Sequence, residues 1–381
     1  MRIIVNIARI IVGVLFIFSG LVKANDPLGL SYKMQEFFEV WGNYSALHSL
    51  MLWLNDYALA FSLITITLEV IVGVAILLGR GVRFFSWLLL LLIIFFTFLT
   101  GYAVLSGKIR TCGCFGDCIP LTAMQSFIKD IALFVLILII FFGAKYIRPL
   151  FKGTLSFVII CVTLLLVVGF QWQVLKHMPL IDCLPYKKGN NILELRKMPA
   201  DATFDKFSYK FIWEKNGEKK ESPTQPDSTW NFVERKETLL EKGKNNEPPI
   251  KDFVLTVPVV PVIPVGKDST KDVTDSILNQ SGEYYFFFIK DATKDTTHWM
   301  ENFRNLYSFA KEKNRPIIII ASQASVAQQF FNEKNNFNVP IVGCDATALK
   351  TAARTDPSLY LMKGPIVQHK WGWADIEKAT R

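Results

Sequence analysis

Long apolar segments alternate with shorter polar segments along the first half of the chain. A helix that crosses a bilayer needs about 20 mostly apolar residues, because the hydrocarbon core is about 30 Å thick and each helical residue rises about 1.5 Å. Five segments reach this length, and the fourth is the weakest because Lys129 and Asp130 interrupt it. We therefore predict transmembrane helices at residues 3–22, 58–78, 84–105, 122–144 and 155–175.

The residues around the first predicted span extend this interpretation. The span has no small-x-small cleavage site, so we expect it to be retained and not removed as a signal peptide. Residues 25–57 are too polar to cross the membrane, yet they carry Tyr32, Trp41 and Trp53. Tyr and Trp prefer the membrane–water interface, so we predict amphipathic helix lying at the outer interface.

From Lys188 onward the chain turns polar and its apolar runs shorten to the length of strands. Residues 207–213 and 230–234 predict strands, and the sequence VPVVPVIPV excludes a helix. After residue 283, short apolar runs alternate with amphipathic segments, as in an α/β sheet with parallel strands. We predict strands at 284–289, 316–321, 339–342, 358–362 and 365–369, helices at 296–313 and 323–333, and a short helix capped by Asp345.

These patterns predict a membrane α-helical bundle of about five transmembrane helices followed by an α/β domain. We expect the bundle at residues 1–180, a β-rich periplasmic connector at 181–244 and the α/β domain at 245–381.

The basic residues suggest an orientation and argue against a nucleic-acid partner. The chain is 51% hydrophobic with a net charge of +9, and many of its basic residues flank the apolar segments. Basic residues are enriched on the cytoplasmic side of membrane proteins. Their modest bias predicts a cytoplasmic N-terminus, with residues 106–121 and everything after residue 175 outside. Because no nucleic-acid-binding motif is present, we expect the bilayer to be the partner that explains the charge.

Three of the six cysteines fall within seven residues, in the sequence TCGCFGDCIP between the third and fourth spans. These are Cys112, Cys114 and Cys118, and Cys183 follows the fifth span by a few residues. The order of the spans therefore brings four cysteines to one membrane face, in a compartment where disulfides persist. A thiol–disulfide redox centre is the favoured interpretation. Structural disulfides and a soft-metal site remain alternatives.

Several other residues are candidates for function. Ionisable residues within a membrane are often functional, so Lys129 is a candidate to stabilise a thiolate, although it could also reach the headgroups. Glu69 is either a functional partner or a buried structural residue. We interpret Cys161 as packing, and Cys344 as a buried small residue in preference to an exchange thiol. We assign no catalytic role to the histidines, which are His48, His177, His298 and His369.

The first 180 residues resemble the DoxX/MauE family of bacterial membrane proteins. The similarity rests on RIIVGVLFIFSGLVKANDPLGLSYKM, LEVIVGVAILLGRG and CGCFGDCIPLT, the last followed by Lys129 and Asp130. The CGCFG motif is its most specific part and resembles the redox-associated branch of the family. The resemblance implies a helical bundle that assists disulfide formation or electron transfer, with quinone as one acceptor. It supports Cys112 and Cys114 most directly.

Residues 245–381 resemble a thioredoxin-like domain of the peroxiredoxin-related type. The similarity rests on PPIKDFVLTV, YYFFFIKDATKDTTHW and DPSLYLMKGPIVQHKWG, in which Pro357 matches the cis-proline of the family. Where that family carries CxxC, residues 292–297 contain no cysteine. We therefore expect no thioredoxin catalysis of the usual form. The domain should hold a client peptide beside Asp356 and Pro357, or pack against the bundle.

Together these expectations describe a thiol–disulfide redox protein of the bacterial inner membrane. It would relay electrons or disulfides between periplasmic protein clients and the membrane. The alternative is a non-enzymatic scaffold or assembly subunit of a membrane complex, with disulfide-stabilised loops and a protein-binding domain.

Overall fold

A computed structural model describes residues 1–43, 47–107, 109, 113, 116–215, 217–241, 243–258 and 270–381. Cys112 and Cys114 lie outside the described residues. The five predicted spans are helices long and apolar enough to cross a membrane, and two shorter helices lie between the first and second of them. In chain order the helices are α1 (Arg2–Ala24), α2 (Pro27–Gly42), α3 (His48–Asp56), α4 (Ala58–Leu78), α5 (Val82–Ser106), α6 (Ala123–Phe142) and α7 (Gly153–His177).

Helices α1, α4, α5 and α6 form the bundle, and α7 packs on the outside of α4. Small residues allow α1 and α4 to approach closely, because a Cβ atom added to Gly73 would lie 2.9 Å from the carbonyl oxygen of Gly13. The beginning of α6 is fixed by a capping box, in which the backbone N–H of Gln125 donates to Thr122 Oγ1 at 3.2 Å and that of Thr122 donates to Gln125 Oε1 at 3.0 Å. This box explains why a helix predicted to start at residue 122 starts at residue 123.

The polar segment after α1 is helical, as its amphipathic pattern predicts. Asp26 caps α2 by accepting a hydrogen bond from the backbone N–H of Gly29 at 3.0 Å. The apolar face of α2 buries Leu30, Met34 and Phe37 against the bundle. These helices lie at the end of the bundle where α1 ends and α4 begins.

A small antiparallel sheet follows α7, after the short helix α8 (Ile192–Leu195). It contains the two predicted strands and one more, in the order β2-β1-β3. The backbone N–H of Thr203 donates to the carbonyl oxygen of Lys244 at 2.8 Å, so the chain enters and leaves this small sheet at neighbouring points. The strands are β1 (Lys206–Lys215), β2 (Glu218–Ser222) and β3 (Asn231–Glu241).

The C-terminal domain is a mixed sheet with helices, in agreement with the predicted α/β class. Its described strands lie in the order β10-β9-β6-β7-β8-β4-β5, with β6, β7 and β8 parallel and the other pairs antiparallel. The strands are β4 (Leu255–Pro258), β5 (Thr270–Asp272), β6 (Glu283–Ile289), β7 (Ile317–Ala321), β8 (Ile341–Cys344), β9 (Ser358–Lys363) and β10 (Ile366–Gly372). The helices are α9 (Thr274–Leu278), α10 (Thr297–Glu312), α11 (Ala324–Gln328) and α12 (Ala346–Ala352), with a π-helical turn at Gln329–Lys334 and a 3₁₀ helix at Trp373–Thr380.

Successive side chains of β6 enter separate cores on the two faces of this sheet. Phe286 and Phe288 pack on one face, and Phe287 and Ile289 on the other. This explains why the strand reads as a continuous apolar run. Asp345 caps α12, as predicted, by accepting hydrogen bonds from two backbone N–H groups.

Candidate functional site

A disulfide between Cys118 and Cys183 joins the loop after α5 to the segment after α7. The Cα atoms are 4.8 Å apart, although 65 residues separate the two cysteines in sequence. The order of the spans brings these two positions to the same end of the bundle, and the structure places them in contact.

Arg354 of the C-terminal domain lies between two carboxylates at this end of the bundle. Its Nε atom is 2.8 Å from Asp26 Oδ2, and its Nη2 atom is 2.5 Å from Asp117 Oδ2. Burial alone lowers the pKa of Arg354, but the two carboxylates outweigh that effect and raise it. Burial raises the pKa of Asp26, opposed by the nearby guanidinium. The contact therefore keeps a guanidinium charged where little water reaches it.

A second ion pair also joins the C-terminal domain to the segment after α7. Lys370 on β10 contacts Asp182, with 2.6 Å between Nζ and Oδ2, and burial lowers the pKa of this lysine. Asp117 and Asp182 each immediately precede one of the bonded cysteines. The two Asp–Cys dipeptides thus bond to each other through sulfur and to the C-terminal domain through their carboxylates.

A cavity of about 320 Å³ lies inside the bundle, with mostly apolar walls. One wall carries Lys23 and Glu69, whose side chains are 2% and 1% exposed and whose Nζ and Oε1 atoms are 2.5 Å apart. The hydroxyl of Ser19 donates to the other carboxylate oxygen of Glu69 at 3.1 Å. Such polar groups, buried among membrane-spanning helices, are expensive unless they are paired, and they often mark functional sites.

The ion pair between Lys129 and Asp130 also lines this cavity. Lys129 Nζ is 3.0 Å from Asp130 Oδ1, and Thr100 Oγ1 donates to Asp130 Oδ2 at 3.1 Å. Lys129 was predicted from sequence to assist a thiolate, and the structure places it on the cavity wall. The cavity therefore combines an apolar interior with two cations and two carboxylates.

Gly113 of the CGCFG segment lines a second, smaller cavity that shares Lys23 and Phe96 with this one. Gly113 has a φ of +63°, which favours glycine, and it lines a small cavity together with Lys23 and Phe96. Lys23 and Phe96 also line the larger cavity, and Lys23 Nζ lies 4.4 Å from the Phe96 ring centroid. These two side chains therefore lie between Gly113 and the intramembrane cavity.

The two residues predicted to hold a client lie close to the domain interface. The peptide bond between Asp356 and Pro357 is cis, and Pro357 is buried. Asp356 Oδ1 accepts a hydrogen bond at 3.0 Å from the backbone N–H of Lys290, whose Nζ atom is 5.3 Å from the Tyr32 ring centroid of α2. Burial raises the pKa of Asp356. No contact in the structure tests their proposed role with a client.

The remaining cysteines and histidines differ from the site residues. Cys344 is buried in the domain core, and burial raises the pKa of its thiol to about 12. Cys161 lies on α7, and His177 Nδ1 is 2.9 Å from Asp375 Oδ2, where it helps to join α7 to the C-terminal domain. Within the described ranges, no three His, Cys, Asp or Glu side chains are grouped as a metal site.

Sequence reasoning missed Lys23, Asp26, Asp117 and Arg354. Lys23 ends an apolar helix and resembles an ordinary flanking cation, and its partner Glu69 is 46 residues away. Arg354 and Asp117 are 237 residues apart. The local signal in the sequence was the aspartate that precedes Cys118 and Cys183. It becomes informative only when the disulfide between these two cysteines is known.

Comparison with known proteins supports the membrane half of the chain. Residues 1–143 match the family model of methylamine utilisation protein MauE, and residues 207–242 match a domain of unknown function (DUF8463). The MauE match covers α1–α6 and the cysteine-rich loop. No curated protein and no solved structure matches the chain.

Proposed function

We propose that this membrane protein passes electrons from the thiols of extracytoplasmic protein clients to a quinone held in the bundle, with Cys112 and Cys114 as the cycling pair. The observation that carries the proposal is the position of Gly113, which lies between these cysteines in sequence and lines a small cavity with Lys23, a residue that also lines the larger intramembrane cavity. In this proposal the cysteines that flank Gly113 in sequence exchange disulfides with extracytoplasmic clients and pass the electrons to an acceptor held in the membrane.

The exchange with a client balances because the Cys112–Cys114 disulfide is the oxidant of the client thiols, and the quinone is the oxidant that restores this disulfide. Two client thiols and the Cys112–Cys114 disulfide exchange to give a client disulfide and two protein thiols. Reoxidation of these thiols releases two electrons and two protons. Cys118 and Cys183 either take part in the relay or join the loop to the segment after α7 as a permanent bridge.

The cavity fits the head group of a quinone. Its volume of about 320 Å³ is in the range of small-molecule sites, which combine mostly apolar walls with a few polar groups. When bound, a quinone supplies an acceptor for two electrons and two protons. Lys23 and Lys129 offer donors for carbonyl oxygens, while Glu69 and Asp130 keep those cations neutralised in a region of low dielectric.

We further propose that the protein lies in the inner membrane with the N-terminus cytoplasmic and the C-terminal domain periplasmic. At the end of the bundle opposite the disulfide, the buried Arg9 donates from Nε to the carbonyl oxygen of Ile76 at 2.8 Å. Arg80 and Arg148 lie at that same end in the connections between helices, and Arg83 lies in the first turn of α5. This excess of arginine is typical of a cytoplasmic face.

The C-terminal domain, in this proposal, is a thioredoxin-like domain that has lost its redox motif and acts by binding. The cis peptide bond before Pro357, the parallel strands β6 and β7, and the helix that follows β6 support this assignment. Asp356 and Pro357 are the proposed contacts for a client segment.

Quinone reduction by the purified protein in lipid nanodiscs tests the proposal. A reduced peptide with two cysteines serves as the electron donor, and a short-chain quinone as the acceptor. Cys114→Ser should abolish quinone reduction, whereas Cys161→Ser, which removes a thiol in α7, should leave it unchanged. Lys129→Met should lower the apparent affinity for quinone about tenfold, which corresponds to about 1.4 kcal/mol. If Cys114→Ser retains the wild-type rate, the redox proposal is wrong.

A membrane scaffold or assembly subunit is the second candidate. The absence of cysteine at residues 292–297 and the ion pairs that fix the C-terminal domain favour it. A scaffold predicts that Cys112 and Cys114 keep one oxidation state throughout donor and acceptor additions. Differential alkylation before and after each addition separates the two candidates.

A further inference from the structure

A groove of about 640 Å³ lies between the bundle end and the C-terminal domain, and Cys183 lines it. Its walls come from five separate parts of the chain: α2, the cysteine-rich loop, the segment after α7, the segment before β4, and the region of α12. Sites for ligands occur preferentially at such junctions between domains. Of the two bonded cysteines, Cys183 is the one on the groove wall.

We infer that this groove binds a cysteine-bearing polypeptide segment of a client, and that the client thiolate attacks the Cys118–Cys183 disulfide at Cys183. The inference rests on the proposed function and makes it more specific, because it assigns the disulfide to the relay and identifies the sulfur that is attacked. In this step a bond forms between the client sulfur and Cys183, and Cys118 leaves as a thiolate. A second client thiol then releases Cys183, and exchange with the Cys112–Cys114 disulfide restores the bond.

The lining of the groove suits a polypeptide better than a lipid or a quinone. It carries cations and carboxylates together, including Lys33, Lys350, Glu36 and Glu39, so it offers donors and acceptors to peptide groups. The intramembrane cavity, by contrast, has mostly apolar walls. The groove volume lies in the middle of the range for binding sites and is twice that of the intramembrane cavity, which leaves room for several residues of an extended segment.

The charges around the disulfide also favour attack by a thiolate. Asp117 and Asp182 would repel an incoming anion, but each is paired with a cation of the C-terminal domain. Lys350 adds positive charge to the walls, whereas the charge of Lys33 is balanced by Glu36, whose Oε2 atom is 2.9 Å from the lysine Nζ atom. A thiolate is the attacking species in disulfide exchange, and cations near the site stabilise it.

The test compares the two cysteines in matched variants. In the full chain in nanodiscs, with Cys112 and Cys114 replaced by serine, Cys118→Ser leaves Cys183 as a thiol and Cys183→Ser leaves Cys118. Both variants lack the disulfide, so both lose its contribution to stability. The probe is a short cysteine peptide activated as its mixed disulfide with thionitrobenzoate, and the readouts are thionitrobenzoate release and the mass of the peptide adduct.

We expect the Cys118→Ser variant to form the peptide adduct at least ten times faster than the Cys183→Ser variant. In the Cys118→Ser background, Thr347→Trp, which places an indole on the groove wall, should slow the reaction about tenfold. Ser325→Trp, at an exposed position of α11 outside the groove lining, should leave the rate unchanged.

Equal rates at the two cysteines, or no effect of Thr347→Trp, would overturn the inference. Equal slowing of the peptide probe and of Ellman's reagent by Thr347→Trp would overturn the polypeptide assignment, because a small reagent needs no groove. If Cys112 and Cys114 still cycle in the wild-type protein, any of these three results removes this inference and leaves the proposed function intact. If they do not cycle, the proposed function fails by itself.

Discussion

Replacing Arg354 with methionine should release the C-terminal domain from the cysteine-bearing end of the bundle. The guanidinium is 6% exposed and contacts Asp26 and Asp117, whose side chains are 13% and 38% exposed. Methionine has a similar length and no charge, so the change leaves two carboxylates without their cation. Because Asp117 precedes Cys118, its uncompensated charge should also slow the attack of an anionic thiolate on the Cys118–Cys183 disulfide.

The magnitude follows from the burial of each partner. Removing one partner of a buried ion pair costs about 3–5 kcal/mol, because the other charge is left buried and unpaired. Asp117 is exposed enough for water to screen it, so its share is at most about 1 kcal/mol. Asp26 is nearly buried, and its share falls at the lower end of the range for buried pairs. We expect a loss of about 3 kcal/mol in the free energy of docking, which is roughly a factor of 150 in the docking equilibrium.

Amide hydrogen exchange of α12 and of α2 measures this loss, since both helices should open together when the domain undocks. Asp26→Asn is the matched compensating change. In the double variant with Arg354→Met the buried carboxylate is gone, so at least half of the lost free energy should return. A single variant that costs less than about 1 kcal/mol, or a double variant whose cost is the sum of the two single costs, would refute the reasoning.

Three further predictions concern other parts of the molecule. Gly73→Ala should lower the free energy of unfolding by about 1–3 kcal/mol, because its Cβ atom would lie 2.9 Å from the carbonyl oxygen of Gly13. Gly169→Ala is the control, because a Cβ atom at Gly169 has no neighbouring atom within 4 Å. Equal thermal stability of the two variants would contradict the prediction. The pKa of Cys344 is raised to about 12 from an ordinary 9.0, so its alkylation at pH 8 should be about a thousandfold slower than that of an ordinary thiol. The alkylation rate should rise about tenfold per pH unit, and a rate independent of pH would contradict the prediction. Replacing residues 206–241, the three-stranded sheet, with a short Gly-Ser linker should change the melting temperature of the protein by only a few degrees, because the two ends of this segment meet. Loss of folded protein would show instead that the sheet supports the core.

The length and order of the apolar segments predict the helical half of the fold well. Each span needs about 20 apolar residues, and the five predicted spans match α1, α4, α5, α6 and α7 to within a few residues at each end. Five of the seven described strands of the C-terminal sheet, β6 to β10, were also predicted from short apolar runs such as residues 284–289. Their order was not predicted, because the pairing of β4 with β8 and of β9 with β6 depends on contacts distant in sequence.

The candidate site was predictable only where topology alone decides proximity. The order of the spans brings Cys118 and Cys183 to one end of the bundle, and the structure shows them bonded. No local pattern pairs Lys23 with Glu69, or Arg354 with Asp117, because each pair joins elements whose packing is set by side chains along their whole length. Cys112 and Cys114 remain a prediction from their sequence motif.

The oxidation state of Cys112 and Cys114 in a lipid bilayer tests the account most directly. The protein in nanodiscs is first reduced by the dicysteine peptide and the excess peptide is removed. A maleimide mass tag then counts the free thiols of these two residues before and after an oxidised quinone is added. The account predicts two tags on this pair without quinone and none after its addition, with the change delayed in Lys129→Met. Two tags under both conditions, or none under both, would contradict it.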